Sequence, residues 1–272
     1  MHVVHVITRL IIGGAQENTI LTCEGLRQRG HRVTLISGPT AGPEGQLVER
    51  ARRGGYEFIE VPQMIRAVSP WHDWRARRRL RRLFERLRPD VVHTHSSKAG
   101  ILGRFAAADA RVPIILHTIH GMSFNRTQPW PVRRFYAWLE RRAAQRSHAI
   151  VTVADAMIEQ TVAAGVCGRE KLRTIYSGME AELFDPARYD RAAVRQQWGV
   201  SDEHVAVGAI ARLFRNKGYD QLLPIMAAAA EREPRLRFVW VGDGAQRWFY
   251  ERELRRLGLR ARTTLTGLLP PE

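Results

Sequence analysis

The sequence predicts an α/β protein with two doubly wound parallel-sheet domains in tandem, the second of them incomplete. Short runs rich in β-branched residues alternate with helix-length segments, in which apolar residues recur every three or four positions. Such alternation is typical of a parallel sheet covered by helices on both faces. With 44% hydrophobic residues among 272, the chain has the apolar content that such a layered core needs.

The first predicted domain, residues 1–178, contains six apolar runs that we interpret as buried strands. These are residues 3–8, 32–37, 56–61, 90–95, 113–119 and 149–153. Helical periodicity marks the segments between several of them, namely residues 15–29, 98–109 and 155–165.

The second predicted domain, residues 199–272, follows a connection at residues 179–198. Its strands are predicted at residues 205–210, 236–241 and 263–266, and its helices at residues 219–232 and 246–257. Three strands and two helices leave a sheet edge uncovered, which complete domains avoid. We therefore expect a truncated chain or a fragment of a longer protein.

The composition excludes several protein classes. The two cysteines, Cys23 and Cys167, are far apart and lack a Cys-x-x-Cys spacing, which indicates buried thiols in a reducing compartment. No stretch approaches the ~20 uncharged apolar residues of a membrane span. The apolar start is interrupted by His2, His5 and Arg9 without a cleavage-site pattern, so a signal peptide is not expected. These features predict a cytoplasmic location.

The net charge of +16 comes almost entirely from the first predicted domain. Residues 1–178 hold 28 basic and 14 acidic residues, whereas residues 179–272 hold 15 and 13. The first domain is therefore expected to face an anionic partner, which is nucleic acid, a phospholipid surface or a phosphorylated substrate. The sequence contains no RNA-recognition, KH or zinc-finger signature, so nucleic acid is not predicted.

Two arginine-rich segments carry much of this charge. Residues 74–88 contain eight arginines, one glutamate and an apolar face, which predicts an amphipathic helix. Its basic face is either solvated or docked on an anionic membrane leaflet. Residues 130–146 interleave four aromatic residues with five arginines. These aromatic side chains either lie among membrane headgroups or pack in the core.

Ligands of open parallel sheets bind beyond the carboxyl ends of the strands, so the loops there are the predicted binding positions. The first such loop holds Gly13 and Gly14. Two glycines at a helix N-terminus let backbone N–H groups approach an anion, although a tight turn that binds nothing explains them as well. The loop lacks the third glycine of the GxGxxG dinucleotide motif.

Histidines lie at the ends of two later strands. His93 and His95 share one face of a strand, and a metal site there needs a third ligand, such as His117 or His120. We favour packing or hydrogen bonding over metal binding for His93 and His95. His120 precedes Gly121 and is expected to project into the cleft, although a structural role explains it equally.

In the second predicted domain, Arg212 and Lys217 follow the first strand and precede a helix. Two cations beside a helix N-terminus suit a diphosphate, although a solvated pair of loop charges also explains them. The turn from Gly242 to Gly244 follows the next strand. The sequence contains no Asp-x-Asp pair, so no metal held by paired carboxylates is predicted, and the cations would stabilise a leaving diphosphate. The motifs GxxxxGK[ST] and GxSxG are also missing.

Together these motifs resemble retaining, nucleotide-sugar-dependent glycosyltransferases of family 4, which have the GT-B fold of two Rossmann-like domains. In the first domain the resemblance rests on GGAQENT, HTHSSKAG and HTIHG. In the second it rests on ARLFRNKG, VGDG and LTGLLPPE. The first-domain motifs are most similar to those of enzymes that build capsules, lipopolysaccharide or exopolysaccharide.

The resemblance implies sugar transfer from a nucleotide-diphosphate sugar with retention of configuration and no obligatory metal or other cofactor. It implies catalytic roles for His120 at the donor sugar and for Arg212 and Lys217 at the leaving diphosphate. The predicted donor-binding residues are Gly13, Gly14, Arg212, Lys217, Gly242, Asp243 and Gly244. The predicted acceptor-binding residues are Gln16, His95, Ser96, Ser97 and Lys98.

A polyprenyl-diphosphate-linked or other lipid acceptor explains the basic first domain, because it brings both a membrane surface and a phosphate. We therefore predict a peripheral protein on the inner face of the cell membrane. The family carries a Glu-x7-Glu motif later in its second domain, beyond Glu272, so this chain is expected to be weakly active or inactive. Two alternatives are a nucleotide-sugar 2-epimerase of the same fold and a non-catalytic nucleotide-sugar-binding or scaffold protein.

Overall fold

The computed structural model describes residues 1–40, 45–124 and 128–269. The chain forms two compact units, Met1–Met179 and Glu180–Glu272, each with its own sheet and core. The predicted tail motif LTGLLPPE lies only partly within the described residues.

The first unit is built on a parallel sheet in the order β3-β2-β1-β4-β5-β6-β7. The strands are β1 (His2–Ile7), β2 (Arg32–Ser37), β3 (Glu57–Glu60), β4 (Val91–His95), β5 (Ile114–Ile119), β6 (Ala149–Thr152) and β7 (Leu172–Thr174). The strand order reverses between β1 and β4, which makes the ends of these two strands a topological switch point.

Helices cover both faces of this sheet. They are α1 (Gly14–Gln28), α2 (Val48–Arg53), α3 (Pro70–Leu87), α4 (Ser97–Asp109), α5 (Trp130–Ala144) and α6 (Asp155–Ala163). Val6 packs in a core with Leu80 of α3, whereas its neighbour Ile7 packs in another with Ile20 of α1. Successive strand side chains point to opposite faces, so one strand supplies both cores.

The second unit contains α7 (Arg191–Gln197), β8 (Val205–Ile210), α8 (Tyr219–Arg232), β9 (Leu236–Val241), α9 (Arg247–Arg256) and β10 (Thr263–Gly267). Its sheet has the order β10-β9-β8. Its core centres on Tyr219, whose ring lies 4.5 Å from that of Trp240 and 5.1 Å from that of Tyr250. The edge strand β8 is largely exposed, and 85% of Ile210 is accessible.

The predicted α/β fold class, with parallel sheets in two units and the second smaller, is confirmed. All nine predicted strands form, with ends shifted by at most one residue. The short elements of the described residues that were not predicted include α2, α7 and β7. Each is at most seven residues long, too short for hydrophobic periodicity to distinguish it from a loop.

The arginine-rich helix α3 starts four residues earlier than predicted, at Pro70. It buries its apolar face and leaves the arginines at the surface. On α5 the structure excludes the core interpretation for three of the four aromatic residues, whereas a position among membrane headgroups stays a prediction. Trp130, Phe135 and Trp138 are each more than half exposed, so they are surface residues and not core. Within the described part of the chain, none of the helices has the length and hydropathy required to span a bilayer.

We expect Leu80→Ala to lower the free energy of unfolding of the first unit by about 2–5 kcal/mol, because it empties a fully buried site. Leu87→Ala removes the same atoms at a partly buried position of the same helix and should cost less. Urea unfolding followed by circular dichroism measures both variants. Equal losses would contradict this assignment of the core.

Candidate functional site

A cavity of about 220 Å³ lies at the carboxyl ends of β4 and β5 in the first unit. The residues that line it are Ala15, Ser96, Ser97, His117, Thr118, Ile119, His120, Gly121, Met122, Ser123, Glu140 and Val166. The N-termini of α1 and α4 both reach it, through Ala15 and Ser97. An open parallel sheet binds its ligands at this edge.

The glycine loop forms the junction between β1 and α1. Gly13 is in an extended conformation, and its carbonyl accepts hydrogen bonds from the backbone N–H groups of Gln16 and Glu17 at 3.0 and 3.1 Å. Gly14 is the first residue of the helix. The early N–H groups of a helix have no intrahelical partner and carry partial positive charge, so this end of α1 suits an anion.

The N-terminus of α4 is fixed by Thr8, a residue that the sequence analysis did not select. Its hydroxyl lies 2.7 Å from the Ser96 hydroxyl and accepts a hydrogen bond from the Ala99 N–H at 3.0 Å. Ser96 has φ 60° and ψ 162°, a region that is essentially restricted to glycine. Backbone strain of this kind concentrates at ligand sites, and here it occurs on the cavity wall.

Four histidines form a contiguous cluster that ends at the cavity. Nδ1 of His5 lies 2.9 Å from Nε2 of His95, and Nδ1 of His95 lies 3.1 Å from Nε2 of His120. The His93 ring lies beside His95 with centroids 4.3 Å apart, and its Nε2 lies 2.7 Å from the Thr118 hydroxyl. Strands β1 and β4 and the residue directly after β5 therefore contribute to one imidazole network.

Burial keeps these imidazoles uncharged. It lowers the pKa of His5 to about 4 and that of His120 to about 4. It also holds the pKa of His93 and of His95 well below the usual value, with a further contribution from neighbouring imidazoles. At neutral pH each ring therefore carries one N–H donor and one acceptor nitrogen.

The structure corrects the expected third member of the histidine group. Ligand nitrogens of His5, His93 and His95 lie within 4.8 Å of one another, so the third member is His5 and not His117 or His120. His117 instead bonds Thr94 through its Nδ1. A metal ion among these three rings would have to replace the hydrogen bond between His5 and His95.

A buried ion pair borders the cavity on the α5 side. Glu140 lines the cavity and accepts a hydrogen bond from the guanidinium of Arg104, which is completely buried on α4. The same guanidinium adds to burial in lowering the pKa of His117. Neither Glu140 nor Arg104 was predicted as a site residue from the sequence, since a single glutamate among arginines carries no motif.

The predicted acceptor residues do not all face the cavity. Ser96 and Ser97 line it, and His95 reaches it through His120. The amine of Lys98 instead binds the Asp73 carboxylate at 2.5 Å and the Ala67 carbonyl. Gln16 lies one residue beyond the lining residue Ala15. Acceptor binding by these residues therefore stays a prediction.

In the second unit, the loops after β8 and β9 pack against each other. Gly242 has φ +133°, and a Cβ there would lie 2.3 Å from the Ala211 carbonyl oxygen. A Cβ on Gly244 would lie 2.6 Å from the carbonyl oxygen of Leu213. Only glycine permits these approaches, so this turn is structurally required whatever it binds. Asp243 accepts a hydrogen bond from Arg247 at 3.0 Å.

The two predicted diphosphate cations flank the loop after β8. Arg212 is half-buried, with its guanidinium 5.0 Å from the centroid of the Phe214 ring. Lys217 is exposed and ends a short 3₁₀ turn, and the next residue, Gly218, precedes α8. Lys217 therefore lies at a helix N-terminus, an arrangement that favours an anion, whereas Arg212 lies two residues after the end of β8.

A family model described as Glycosyltransferase Family 4 matches residues 12–183, well over half of the chain. The chain belongs to Glycosyltransferase Family 4. The matched range includes the predicted first-unit site residues from Gly13 to His120. It also covers the cavity, so the membership places this site within the part of the chain that the family shares.

Relatives of known name agree with this membership. The chain is 28% identical over 249 residues to UDP-Gal:alpha-D-GlcNAc-diphosphoundecaprenol alpha-1,3-galactosyltransferase of Escherichia coli, covering 89% of this chain and 62% of that protein. It is 28% identical over 196 residues to the putative glycosyltransferase EpsD of Bacillus subtilis, covering 70% and 51%. The family 4 chain thus spans between half and two thirds of the length of these two relatives.

The fold matches a solved structure over nearly the whole chain. The structure of Anabaena Alr3699/HepE in complex with UDP-glucose superimposes with a TM-score of 0.77 at 21% identity. The match covers 99% of the family 4 chain and 70% of that protein. This likeness supports the GT-B architecture of two Rossmann-like domains.

Acid is expected to destabilise the first unit through the histidine cluster. Below the usual histidine pKa of 6.5 the unfolded chain binds protons, whereas folded His5 binds one only near pH 4. The free energy of unfolding therefore falls as the pH falls through this range, by about 3 kcal/mol for His5 alone.

Urea unfolding from neutral pH down to about pH 4.5 measures the effect, and a slope of more than one proton per molecule is expected. His5→Gln should reduce that slope by roughly one proton. A free energy of unfolding that does not depend on pH in this range would contradict the neutral cluster.

Proposed function

We propose that this family 4 chain is part of a glycosyltransferase that moves a sugar from a nucleotide-diphosphate sugar to a lipid-linked saccharide in surface-polysaccharide synthesis. The transfer would retain the configuration of the donor sugar, as the family resemblance implies. The single observation that carries the proposal is the cavity at the carboxyl ends of β4 and β5, where His120 meets the N-termini of two helices.

The chemistry of this cavity suits a sugar and its phosphates. Because His120 is neutral, its ring can hydrogen-bond a sugar hydroxyl and carries no positive charge that would attract a phosphate instead of the sugar. The helix N-terminus at Gly14 offers backbone N–H groups to an anion. Family membership gives His120 the proposed role of contacting the donor sugar near the reacting carbon.

In the second unit, Arg212 and Lys217 are proposed to bind the donor diphosphate and to neutralise it as it leaves. Both residues follow the carboxyl end of β8, and Lys217 directly precedes the N-cap of α8. Gly242, Asp243 and Gly244 would lie near the base of the nucleotide. Cations in these positions would stabilise the charge on the departing group without a bound metal.

The proposed acceptor is a saccharide on a polyprenyl diphosphate. Support comes from the Escherichia coli relative, whose name specifies a diphosphoundecaprenol-linked acceptor. Because this chain corresponds to 62% of that protein, the complete activity is proposed for the longer form of the family. The 272-residue chain itself is proposed to be weakly active or inactive.

The same acceptor would place the protein on the inner face of the cell membrane, and α3 carries a surface suited to that position. A groove of about 290 Å³ is lined by Gln63, Trp74, Arg75, Arg78, Arg79 and Arg82. Within the described ranges, none of these four arginines lies in ion-pair distance of a carboxylate. By contrast, Arg77 and Arg81 on the same helix pair with Asp109 and Glu85.

Exposed tryptophans accompany these arginines. The guanidinium of Arg78 lies 5.5 Å from the Trp74 ring centroid, and on α5 that of Arg134 lies 4.8 Å from the Trp130 ring. Both α3 and α5 pack against α4, so they lie on the same face of the sheet. Tryptophan and arginine together favour the interface of an anionic bilayer.

Nucleotide binding tests the proposed role of the second unit. We expect Arg212→Ala to weaken the affinity of the chain for UDP-glucose by roughly tenfold to a hundredfold, since a hydrogen bond to a charged group contributes about 1.5–3 kcal/mol. Arg215→Ala, which removes an exposed arginine from the same loop, should change the affinity by less than about twofold. Isothermal titration calorimetry measures both variants.

Equal effects of the two substitutions would contradict a specific diphosphate contact at Arg212. A radiolabelled sugar-transfer assay on the unmodified 272-residue chain separately tests its proposed low activity. Full turnover would contradict that part of the proposal.

Flotation with liposomes tests the membrane surface. Arg78→Gln with Arg82→Gln should weaken binding to vesicles containing phosphatidylglycerol by roughly tenfold or more, because each arginine near an anionic surface contributes about 1 kcal/mol. The matched control, Arg77→Gln with Arg81→Gln, removes the same charge from ion-paired positions and should weaken binding less. Equal partitioning of the unmodified chain into anionic and neutral vesicles would exclude this surface.

A further inference from the structure

The three hydrogen-bonded imidazoles of His5, His95 and His120 form a chain that runs from the core to the cavity wall. Its two N···N separations are 2.9 and 3.1 Å, both within hydrogen-bonding range. His5 is completely buried and 1% of His95 is exposed, whereas His120 lines the cavity. Of these three rings, only His120 therefore lines the cavity.

Counting protons restricts the tautomers of this chain. Each neutral imidazole carries one N–H, and each N···N hydrogen bond uses one proton. Three rings joined by two hydrogen bonds therefore leave one proton over. It sits at one of the two ends, on Nε2 of His5 or on Nδ1 of His120.

The burial of His5 decides between these two ends. Its Nε2 is inaccessible and has no hydrogen-bond partner within the part of the chain that the structure describes. This nitrogen has no partner in either tautomer, but a buried N–H without an acceptor is rarer in folded proteins than a buried acceptor without a donor. On Nδ1 of His120 the same proton belongs to a ring at the cavity, where a ligand or water can accept it.

We propose that His95, oriented by His5, is a positioning residue that fixes His120 as the tautomer with its proton on Nδ1. In this arrangement His5 donates from Nδ1 to His95, and His95 donates from Nδ1 to Nε2 of His120. His120 then donates from its Nδ1 to an oxygen of the ligand in the cavity. The identity of that ligand as a donor sugar rests on the proposed function, whereas the tautomer does not.

His93 provides the matched control. It lies on the same strand as His95, and its ring centroid is 5.1 Å from that of His5 and 4.3 Å from that of His95. Its Nε2 is hydrogen-bonded to the Thr118 hydroxyl and not to any of the rings of His5, His95 and His120. Replacing His93 disturbs the same buried cluster without removing either of the two hydrogen bonds that join His5, His95 and His120.

The test is nitrogen NMR of the 272-residue chain with ¹⁵N-labelled histidine at neutral pH, since protonated and bare ring nitrogens resonate in separate regions. We expect His120 to carry its proton on Nδ1 in the unmodified chain and in His93→Gln. In His95→Phe it should shift to the Nε2-protonated form that free histidine side chains prefer. A proton on Nε2 of His120 in the unmodified chain, or no change in His95→Phe, would overturn the proposal.

If His95→Phe does not fold, a measurement on the unmodified chain replaces it. A scalar coupling across the hydrogen bond between Nδ1 of His95 and Nε2 of His120 is expected, with the proton attached to Nδ1 of His95; no coupling, or a proton attached to Nε2 of His120, would overturn the proposal. Both measurements are made without substrate, so their failure would leave the proposed sugar transfer intact. Conversely, if the protein failed to bind nucleotide, the proposed tautomer of His120 would not be contradicted.

Discussion

The parallel pairing of β1 with β4 and of β4 with β5 is the interaction on which the candidate site depends. In this register His5 lies opposite His93, and His95 lies opposite Thr118. Side chains that are about ninety residues apart in the chain thereby share one face of the sheet. A shift of one residue in either strand pairing would turn one strand's side chains to the opposite face of the sheet and break the hydrogen bonds between the histidines.

The positive charge of this basic protein lies away from the cavity in the first unit. Among the described residues that line the cavity, the imidazoles are neutral and the carboxylate of Glu140 is paired with the buried Arg104. The groove arginines of α3, which have no carboxylate partner among the described residues, instead lie at the surface. Neutral hydrogen-bonding groups discriminate among hydroxyl patterns, whereas surface cations attract an anionic partner over a distance.

The fold was largely predictable because its signal is local. Long elements such as α8 show hydrophobic periodicity, and β1 and β9 are apolar runs, so both signals can be read without knowing the tertiary contacts. The predicted positions of these three elements are confirmed. The short elements α2, α7 and β7 were missed because they exist only through their neighbours. β7 is a three-residue strand that forms by pairing with β6.

By itself the sequence determined the fold class, the loops that bear glycine, histidine and cationic side chains, and the concentration of positive charge in the first domain. Only the tertiary structure decided which side chains meet. It joined His5 to His95, bound Lys98 to Asp73, and left Trp130 and Trp138 exposed on α5. The physical reason is that strand order is not local: β1 lies beside β4, and no spacing along the chain specifies that neighbour.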